Sequence, residues 1–293
     1  MIPEPFEYHL PKNVEEASRL LSQFGGDGKL LAGGHSLLPM MKLRLATPTH
    51  LVDIGRLAEL RYIREADGKI EIGALTTHFQ IESSELLRSK LPLLPEAARE
   101  IGDVQVRNRG TLGGSLAHSD PAADWPAVIL AVDAEIQARA ANSARWIPAT
   151  VFFVDLLSTA LKDDEILTSI RIPVAPTRSG HAYFKMHHPA SGYAMVGIAA
   201  VVTLNDAGNV EHLGVGVTGI GPKAYRAAAV EEALRGKAPS ATAFQAACQR
   251  VAEGIEVNSD LFASADYRVH LAKVFTRRAL EKALERARAS VSA

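Results

Sequence analysis

The chain has 293 residues, which exceeds the usual size of a single domain, so its length predicts two packed domains. Its 32 basic and 33 acidic residues give a net charge of -1, which argues against nucleic-acid binding through a basic surface. The one cysteine, Cys248, excludes an intramolecular disulfide and a cysteine-held iron–sulfur cluster, and without a signal-like N-terminus or long apolar run it predicts a cytoplasmic protein with no membrane span.

Helix and strand patterns alternate at the start of the chain. Asn13 is a candidate N-cap for a helix that runs to Phe24, and Glu16, three residues on, is its capping-box partner. Apolar patterns then predict a strand at 29–32, a helix at 37–45 and a strand at 51–54. Together with the strand-like FEYHL at 6–10, these elements predict a compact β-α-β-α-β beginning.

A second block of elements precedes a predicted joint between domains. Its patterns predict strands at 69–74, 135–140 and 165–172 and helices at 79–87 and 94–101. Pro173, Pro176 and Gly180 indicate the joint. Beyond the joint, strands at 193–204 and 210–217 flank an Asn-Asp-Ala-Gly sequence typical of a hairpin turn, and three helix-like stretches follow.

Two segments carry adjacent glycines, LLAGGHSLLPMMKLR at 30–44 and TLGGSLAHSDPAADWPA at 111–127. Glycine lets the backbone approach a ligand, and the first N–H groups of a following helix lack partners inside that helix, so such segments attract oxyanions. The Ser36 hydroxyl either donates to an anion or caps its helix. One segment suits one phosphate, and two converging segments suit a pyrophosphate. Neither segment fits GxGxxG, GxxxxGK[ST] or GxSxG, which argues against Rossmann, P-loop and nucleophile-elbow sites.

Other polar residues give weaker signals. His118, Asp120 and Asp124 lack a second histidine at ligand spacing, which argues against a metal cluster. Asp124 either accepts hydrogen bonds from ribose hydroxyls or serves as an acidic residue in the first turn of a helix. The basic run from Arg277 to Arg288 is either a solvated terminal helix or a docking face for a partner.

Taken together, the two glycine segments resemble those of the FAD-binding medium subunit of the aerobic carbon monoxide dehydrogenase and xanthine dehydrogenase family of molybdenum hydroxylases. The resemblance covers nearly the whole chain and includes PEPFEYHLPKNVEEA at 3–17, EILTSIRIP at 165–173 and YFKMHHPASGYAMVG at 183–197. It implies an α+β fold. A two-lobed PCMH-type FAD-binding domain would occupy residues 1–177, with lobes at about 1–55 and 56–177, and a smaller domain at 178–293 would hold a three-stranded antiparallel sheet with helices.

The resemblance also implies a set of FAD-contacting residues and no catalytic side chain or metal ligand in this chain. Those residues are Leu31, Ala32, Gly33, Gly34, His35, Ser36 and Leu37 in the first segment, Thr111, Gly113, Gly114 and Ser115 in the second, and Ile101, Asp124, Leu167, Lys185 and Tyr193 elsewhere. Tyr193 matches an aromatic position beside the isoalloxazine ring. Ser115 departs from the asparagine of many relatives, and HHPAS at 187–191 differs from authentic carbon monoxide dehydrogenases, which argues against carbon monoxide as the substrate.

Electron transfer is the function that the resemblance implies. A large molybdopterin subunit would oxidise the substrate, a small subunit would carry [2Fe-2S] clusters, and FAD in this chain would pass electrons to an external acceptor, with the assembly a dimer of heterotrimers. Two alternatives stay open. One is a self-sufficient FAD-dependent oxidase, and the other is a non-catalytic scaffold subunit that has lost FAD.

Overall fold

The structure is a computed structural model that describes residues 2–290, so Met1 and the last three residues of the predicted C-terminal domain lie outside the described part. Its N-terminal elements form a parallel three-stranded sheet of order β1-β3-β2, which confirms the predicted β-α-β-α-β order. They are β1 (Glu7–His9), α1 (Val14–Phe24), β2 (Gly28–Leu31), α2 (Leu37–Lys42) and β3 (His50–Asp53).

Helix α1 begins where the sequence predicts, because Asn13 Oδ1 accepts the N–H of Glu16 at 2.8 Å. The reciprocal half of the predicted capping box is wrong, since Glu16 Oε2 accepts the N–H of Lys12 at 2.8 Å instead of that of Asn13. Helix α2 is shorter than predicted. It ends at Lys42, and Arg44 has a left-handed φ of 59°, which a continuing helix excludes.

The second group of elements contains a five-stranded antiparallel sheet of order β4-β5-β10-β6-β7. In chain order the group consists of β4 (Ile63–Ala66), β5 (Lys69–Gly73), α3 (His78–Ser83), α4 (Glu85–Lys90), α5 (Leu93–Arg99), α6 (Val104–Arg109), α7 (Leu112–His118), α8 (Asp124–Ala131), β6 (Glu135–Ala140), β7 (Ser143–Pro148), α9 (Ala149–Phe152), β8 (Phe153–Asp155), β9 (Ser158–Thr159) and β10 (Ile166–Pro173). The helix predicted at 79–87 is two helices, because Ser84 is extended and its side chain accepts the N–H of Leu87 to begin α4.

The C-terminal elements form an antiparallel sheet of order β11-β12-β13-β14. They are β11 (Ser179–His187), β12 (Ala194–Leu204), β13 (Val210–Thr218), β14 (Tyr225–Arg226), α10 (Ala228–Leu234), α11 (Ala241–Cys248) and α12 (Ala265–Ala289). Three long strands make up the predicted sheet, and the two-residue strand β14 adds a fourth at its edge. The predicted turn connects β12 to β13, where the N–H of Gly208 donates to Asn205 O at 2.9 Å.

Glycines allow helices to pack closely on this C-terminal sheet. A Cβ built on Gly216 of β13 would overlap the carbonyl oxygen of Ala127 in α8. Gly180, expected in the joint between domains, lies inside β11 instead, where a Cβ would overlap the carbonyl oxygen of Ala283 in α12. Helix α8 therefore connects the second group of elements to the C-terminal sheet. Over residues 2–290, no helix combines the length and apolarity required to cross a lipid bilayer.

Candidate functional site

A cavity of about 680 Å³, here called the central cavity, lies between the N-terminal sheet and the second group of elements. Its volume falls within the range of about 300–1,000 Å³ that ligand pockets occupy. The sequence-predicted residues that line it are Ala32, Gly33, Gly34, His35, Ser36, Leu37, Ile101, Thr111, Gly113, Gly114, Ser115, Asp124, Leu167 and Tyr193. Both glycine segments therefore border one cavity.

The first glycine segment, residues 31–37, runs from the end of β2 into α2. Within the described residues, no protein acceptor takes the amide N–H groups of residues 33–37. Gly34 has a φ of 76°, which favours glycine, and the Ser36 side chain does not cap α2. Free amides and a free hydroxyl at one edge of the cavity make this segment suited to an oxyanion.

The first glycine segment packs against the residues that lead into the second. A Cβ built on Gly33 would overlap the carbonyl oxygen of Arg109 and lie 3.0 Å from the Cα of Gly110. A Cβ built on Gly114 would lie 3.8 Å from the Cβ of Ala32. The predicted convergence of the segments is therefore present, and a side chain at position 33 would push them apart.

The second glycine segment, residues 111–115, differs from the first, so the prediction that its backbone N–H groups also attract an oxyanion is wrong. Its amide N–H groups have protein acceptors: those of Leu112 and Gly113 donate to Thr76 O and Ala74 O, and that of Gly114 donates to Thr111 Oγ1 at 3.1 Å. Thr111 is thus the N-cap of α7. The groups that this segment has left for a ligand are the hydroxyls of Thr111 and Ser115, two residues that line the cavity.

Asp124 lies in the first turn of α8 and is 5% exposed. Its carboxylate accepts hydrogen bonds from the Tyr183 hydroxyl at 2.6 Å and from Lys185 Nζ at 2.9 Å. Burial raises the pKa of Asp124, and Lys185 is the strongest influence that lowers it. Burial also raises the pKa of Tyr183 well above its usual value, so this hydroxyl remains a donor.

Two predicted residues do not line the central cavity. Lys185 is buried behind Asp124, and its ammonium group also donates to Glu100 O at 2.8 Å. Leu31 begins the first segment, and its side chain packs against Gly34, where its Cδ1 would be 3.2 Å from an added Cβ. Tyr193 does line the cavity, and although 42% of the residue is exposed, the partial burial of its hydroxyl together with the carboxylates of Asp120 and Asp124 raises the pKa of that group.

His78, which the sequence analysis did not single out, also lines the cavity. It is 4% exposed, and its Nδ1 accepts the indole N–H of Trp125 at 3.0 Å. Burial lowers its pKa to about 3, so the ring is neutral and carries its proton on Nε2. A Cβ on Gly110 would lie 2.6 Å from that nitrogen. The only sequence signal here is the capping threonine Thr77, which predicts a helix start but not a buried imidazole.

Family models match most of the chain. Residues 4–175 match the FAD-binding domain in molybdopterin dehydrogenase. Residues 181–283 match the C-terminal domain of the CO dehydrogenase flavoprotein.

Two relatives and one solved structure are similar over nearly their whole length. The chain is 44% identical over 286 residues to the carbon monoxide dehydrogenase medium chain of Hydrogenophaga pseudoflava, covering 98% of this chain and 99% of that one. It is 38% identical to the 6-hydroxypseudooxynicotine dehydrogenase complex subunit alpha of Paenarthrobacter nicotinovorans, covering 98% and 97%. A solved carbon monoxide dehydrogenase from H. pseudoflava, lacking the Mo-pyranopterin moiety of its molybdenum cofactor, matches with a TM-score of 0.95 and 46% identity, covering 98% and 99%.

Proposed function

The chain belongs to the family of FAD-binding medium subunits of carbon monoxide dehydrogenase and related molybdopterin dehydrogenases, and we propose that it is the electron-transfer subunit of such an enzyme. Its FAD would take electrons from [2Fe-2S] clusters on a small subunit and deliver them to an external acceptor, while a large molybdopterin subunit oxidises the substrate. The proposed assembly is a dimer of these heterotrimers. The two relatives are named for different substrates, so similarity in this subunit does not select one.

The convergence of the glycine segments on one cavity is the observation that carries this proposal. The free amides of residues 33–37 and the Ser36 hydroxyl would bind the pyrophosphate of FAD. The hydroxyls of Thr111 and Ser115 would donate to it from the other side, since within residues 2–290 neither hydroxyl proton has a protein acceptor. Gly33 keeps the two sides close together, because a Cβ there would overlap the carbonyl oxygen of Arg109 and lie 3.0 Å from the Cα of Gly110.

The remaining cavity residues would position the other parts of the cofactor. We propose that Tyr193 screens one face of the isoalloxazine ring and that Ile101 and Leu167 supply apolar contacts. Asp124 would accept a hydrogen bond from the ribose, and Lys185 acts through Asp124 as a positioning residue, because it does not reach the cavity. Leu31 would likewise act indirectly, because its side chain packs against Gly34 and does not line the cavity.

The proposed domains are an FAD-binding domain at 1–177, with lobes at about 1–55 and 56–177, and a C-terminal domain at 178–293. Two clusters of buried apolar side chains support the division at residue 178, because one lies almost wholly before it and the other wholly after it. A third cluster packs the N-terminal elements against Leu57, Leu60, Leu75 and Ile166 of the second lobe. The central cavity lies where the cluster that contains Val14 and Leu21 meets the cluster that contains Ala74 and Leu167. The lobes therefore would close on the cofactor from opposite sides.

Flavin content and reduction test the proposal. The full chain, purified alone and together with its neighbouring molybdopterin-type and iron–sulfur-type subunits, is examined for flavin absorbance, FAD content and reduction by substrate. A yellow chain that is reduced only within the complex supports electron transfer. A colourless chain that does not bind added FAD would indicate a non-catalytic scaffold subunit. Direct reduction of the isolated chain by an organic substrate would identify a self-sufficient oxidase.

A further inference from the structure

Three metal-ligating side chains converge on the first sheet, away from the glycine segments. Strand β1 pairs in parallel with β3, with Glu7 opposite His50, and His9 shares the strand face of Glu7 because it lies two residues further on. His9 Nε2 is 3.2 Å from His50 Nδ1. Glu7 Oε2 lies 3.9 Å from the first nitrogen and 3.6 Å from the second. Among residues 2–290, this is the one trio of histidine, cysteine or acidic residues with such closely grouped ligand atoms.

We propose that Glu7, His9 and His50 bind a divalent transition metal, with Zn²⁺ as the representative ion. Two imidazole nitrogens at tetrahedral angles around Zn²⁺ are about 3.3 Å apart, given Zn–N distances of about 2.0–2.1 Å. The two histidine nitrogens match this separation without rearrangement. The carboxylate oxygen must move by a few tenths of an ångström, which the Glu7 side chain, 73% exposed, is free to do. Imidazole ligands favour zinc, copper and nickel over calcium and magnesium.

Packing holds the two imidazole rings in place before any metal arrives. The Phe24 ring stacks on His50 with centroids 3.9 Å apart and planes at 8°, and it lies 4.7 Å from the ring of His9. Gly28 makes room for Phe24, because a Cβ at position 28 would lie 2.9 Å from the Cβ of Phe24. Both histidines are about three-quarters buried, whereas Glu7 faces solvent and leaves an entry path and a fourth position for water.

A bound ion would join β1, an edge strand of three residues, to the central strand β3. Strand β3 also pairs with β2, whose end leads into the first glycine segment. The ion would therefore stabilise the sheet from which that segment projects, whether or not FAD is present. A direct hydrogen bond between the two imidazoles is the competing explanation of their short separation, and it requires no metal.

Zinc binding by the full chain distinguishes these explanations. The EDTA-treated, dialysed protein is titrated with Zn²⁺ against a chromogenic zinc indicator and, separately, with Co²⁺ to record visible absorption from a tetrahedral site. His50→Phe keeps a ring stacked on Phe24 and removes the ligand nitrogen, while Glu7→Gln removes only the negative charge. His270→Ala, at an exposed histidine on α12, is the matched control.

We expect the wild type and the His270→Ala variant to bind one equivalent and to melt at a higher temperature with Zn²⁺. In His50→Phe, binding should weaken by more than about a hundredfold, since changes outside the ligand shell alone cost about 10–100-fold. Glu7→Gln should show a smaller loss. Equal zinc affinity in the wild type and His50→Phe overturns the proposal, as does a wild-type chain that takes up no zinc. Melting curves without metal check that each variant is folded.

Discussion

Gly33 lies directly against the backbone of Arg109, so the first glycine segment touches the residues that lead into the second. A Cβ at position 33 would overlap the Arg109 carbonyl oxygen and lie 3.0 Å from the Cα of Gly110. Backbone atoms cannot yield as the end of a flexible side chain can. The absence of a side chain at position 33 therefore sets the separation between the segments and, with it, the width of the proposed pyrophosphate site.

We expect Gly33→Ala to abolish FAD retention, because the new methyl group forces the two segments apart. Overpacking of this kind also costs about 1–3 kcal/mol of stability. Gly26→Ala is the matched control, since Gly26 lines the same cavity but a Cβ there meets no atom within 4 Å. The ratio of FAD to protein after purification and reconstitution gives the measurement. Normal flavin content in Gly33→Ala would falsify the proposed site.

The hydroxyls of Ser36 and Thr111 should give different results when removed. Ser36 does not cap α2, so Ser36→Ala should leave the stability of the FAD-free chain unchanged and weaken FAD binding by about 3- to 10-fold, the value of one hydrogen bond. Thr111 caps α7, so Thr111→Val should also lower the free energy of unfolding by about 1 kcal/mol. Fluorescence titration with FAD and urea unfolding measure the two effects. A destabilised Ser36→Ala chain would contradict the assignment of its hydroxyl.

Local sequence signals predicted those parts of the fold that depend on neighbours in the chain. Asn13 begins α1, and the turn at residues 205–208 connects two strands, because both depend on hydrogen bonds spanning a few residues. Periodicity does not predict strand β11, and it predicts one helix at 79–87 where the chain forms α3 and α4. At the site, the sequence predicts a strand end followed by a helix start. It therefore predicts free amide N–H groups at residues 33–37, because the first amides of a helix have no acceptor within that helix.

Contacts between residues far apart in the chain cannot be predicted from local sequence patterns. The second glycine segment looks like the first in sequence, but its amides donate to Thr76 and Ala74, which only the folded sheet brings there. The pairing of His78 with Trp125, and that of Lys185 with Asp124, each join residues far apart in the chain. The family resemblance placed Lys185 near the cofactor, but contacts across two elements put it behind Asp124 rather than on the cavity wall.

The buried pair of Asp124 and Lys185 predicts a strong dependence of stability on both partners. Lys185→Met leaves the Asp124 carboxylate buried without its cation, so we expect a loss of about 3–5 kcal/mol. The pKa of Asp124, already raised by burial, should rise further in this variant because Lys185 is the main influence that lowers it. The double variant Asp124→Asn/Lys185→Met should recover much of the loss, and unfolding in urea measures all four proteins of the cycle. Additive losses in the double variant would show that the two side chains are not coupled.

The buried, neutral imidazole of His78 predicts loss of stability in acid. Its folded pKa of about 3 lies below the unfolded value of 6.5, so below pH 6.5 the unfolded chain binds a proton that the folded chain does not. The contribution of His78 to stability is therefore complete above pH 6.5 and declines as the pH falls from 6.5 towards 3, by about 2 kcal/mol at pH 5.

His78→Gln removes the titrating ring and keeps an acceptor for the Trp125 indole N–H, so it isolates this effect. Urea unfolding at pH 7 and pH 5 should show a smaller fall in His78→Gln than in the wild type, by about 2 kcal/mol. A residual fall is expected, because burial also lowers the pKa of His181 to about 4. His270→Gln, at an exposed histidine, should keep the full wild-type fall. If His78→Gln loses as much stability between the two pH values as the wild type does, His78 is not held neutral against Trp125.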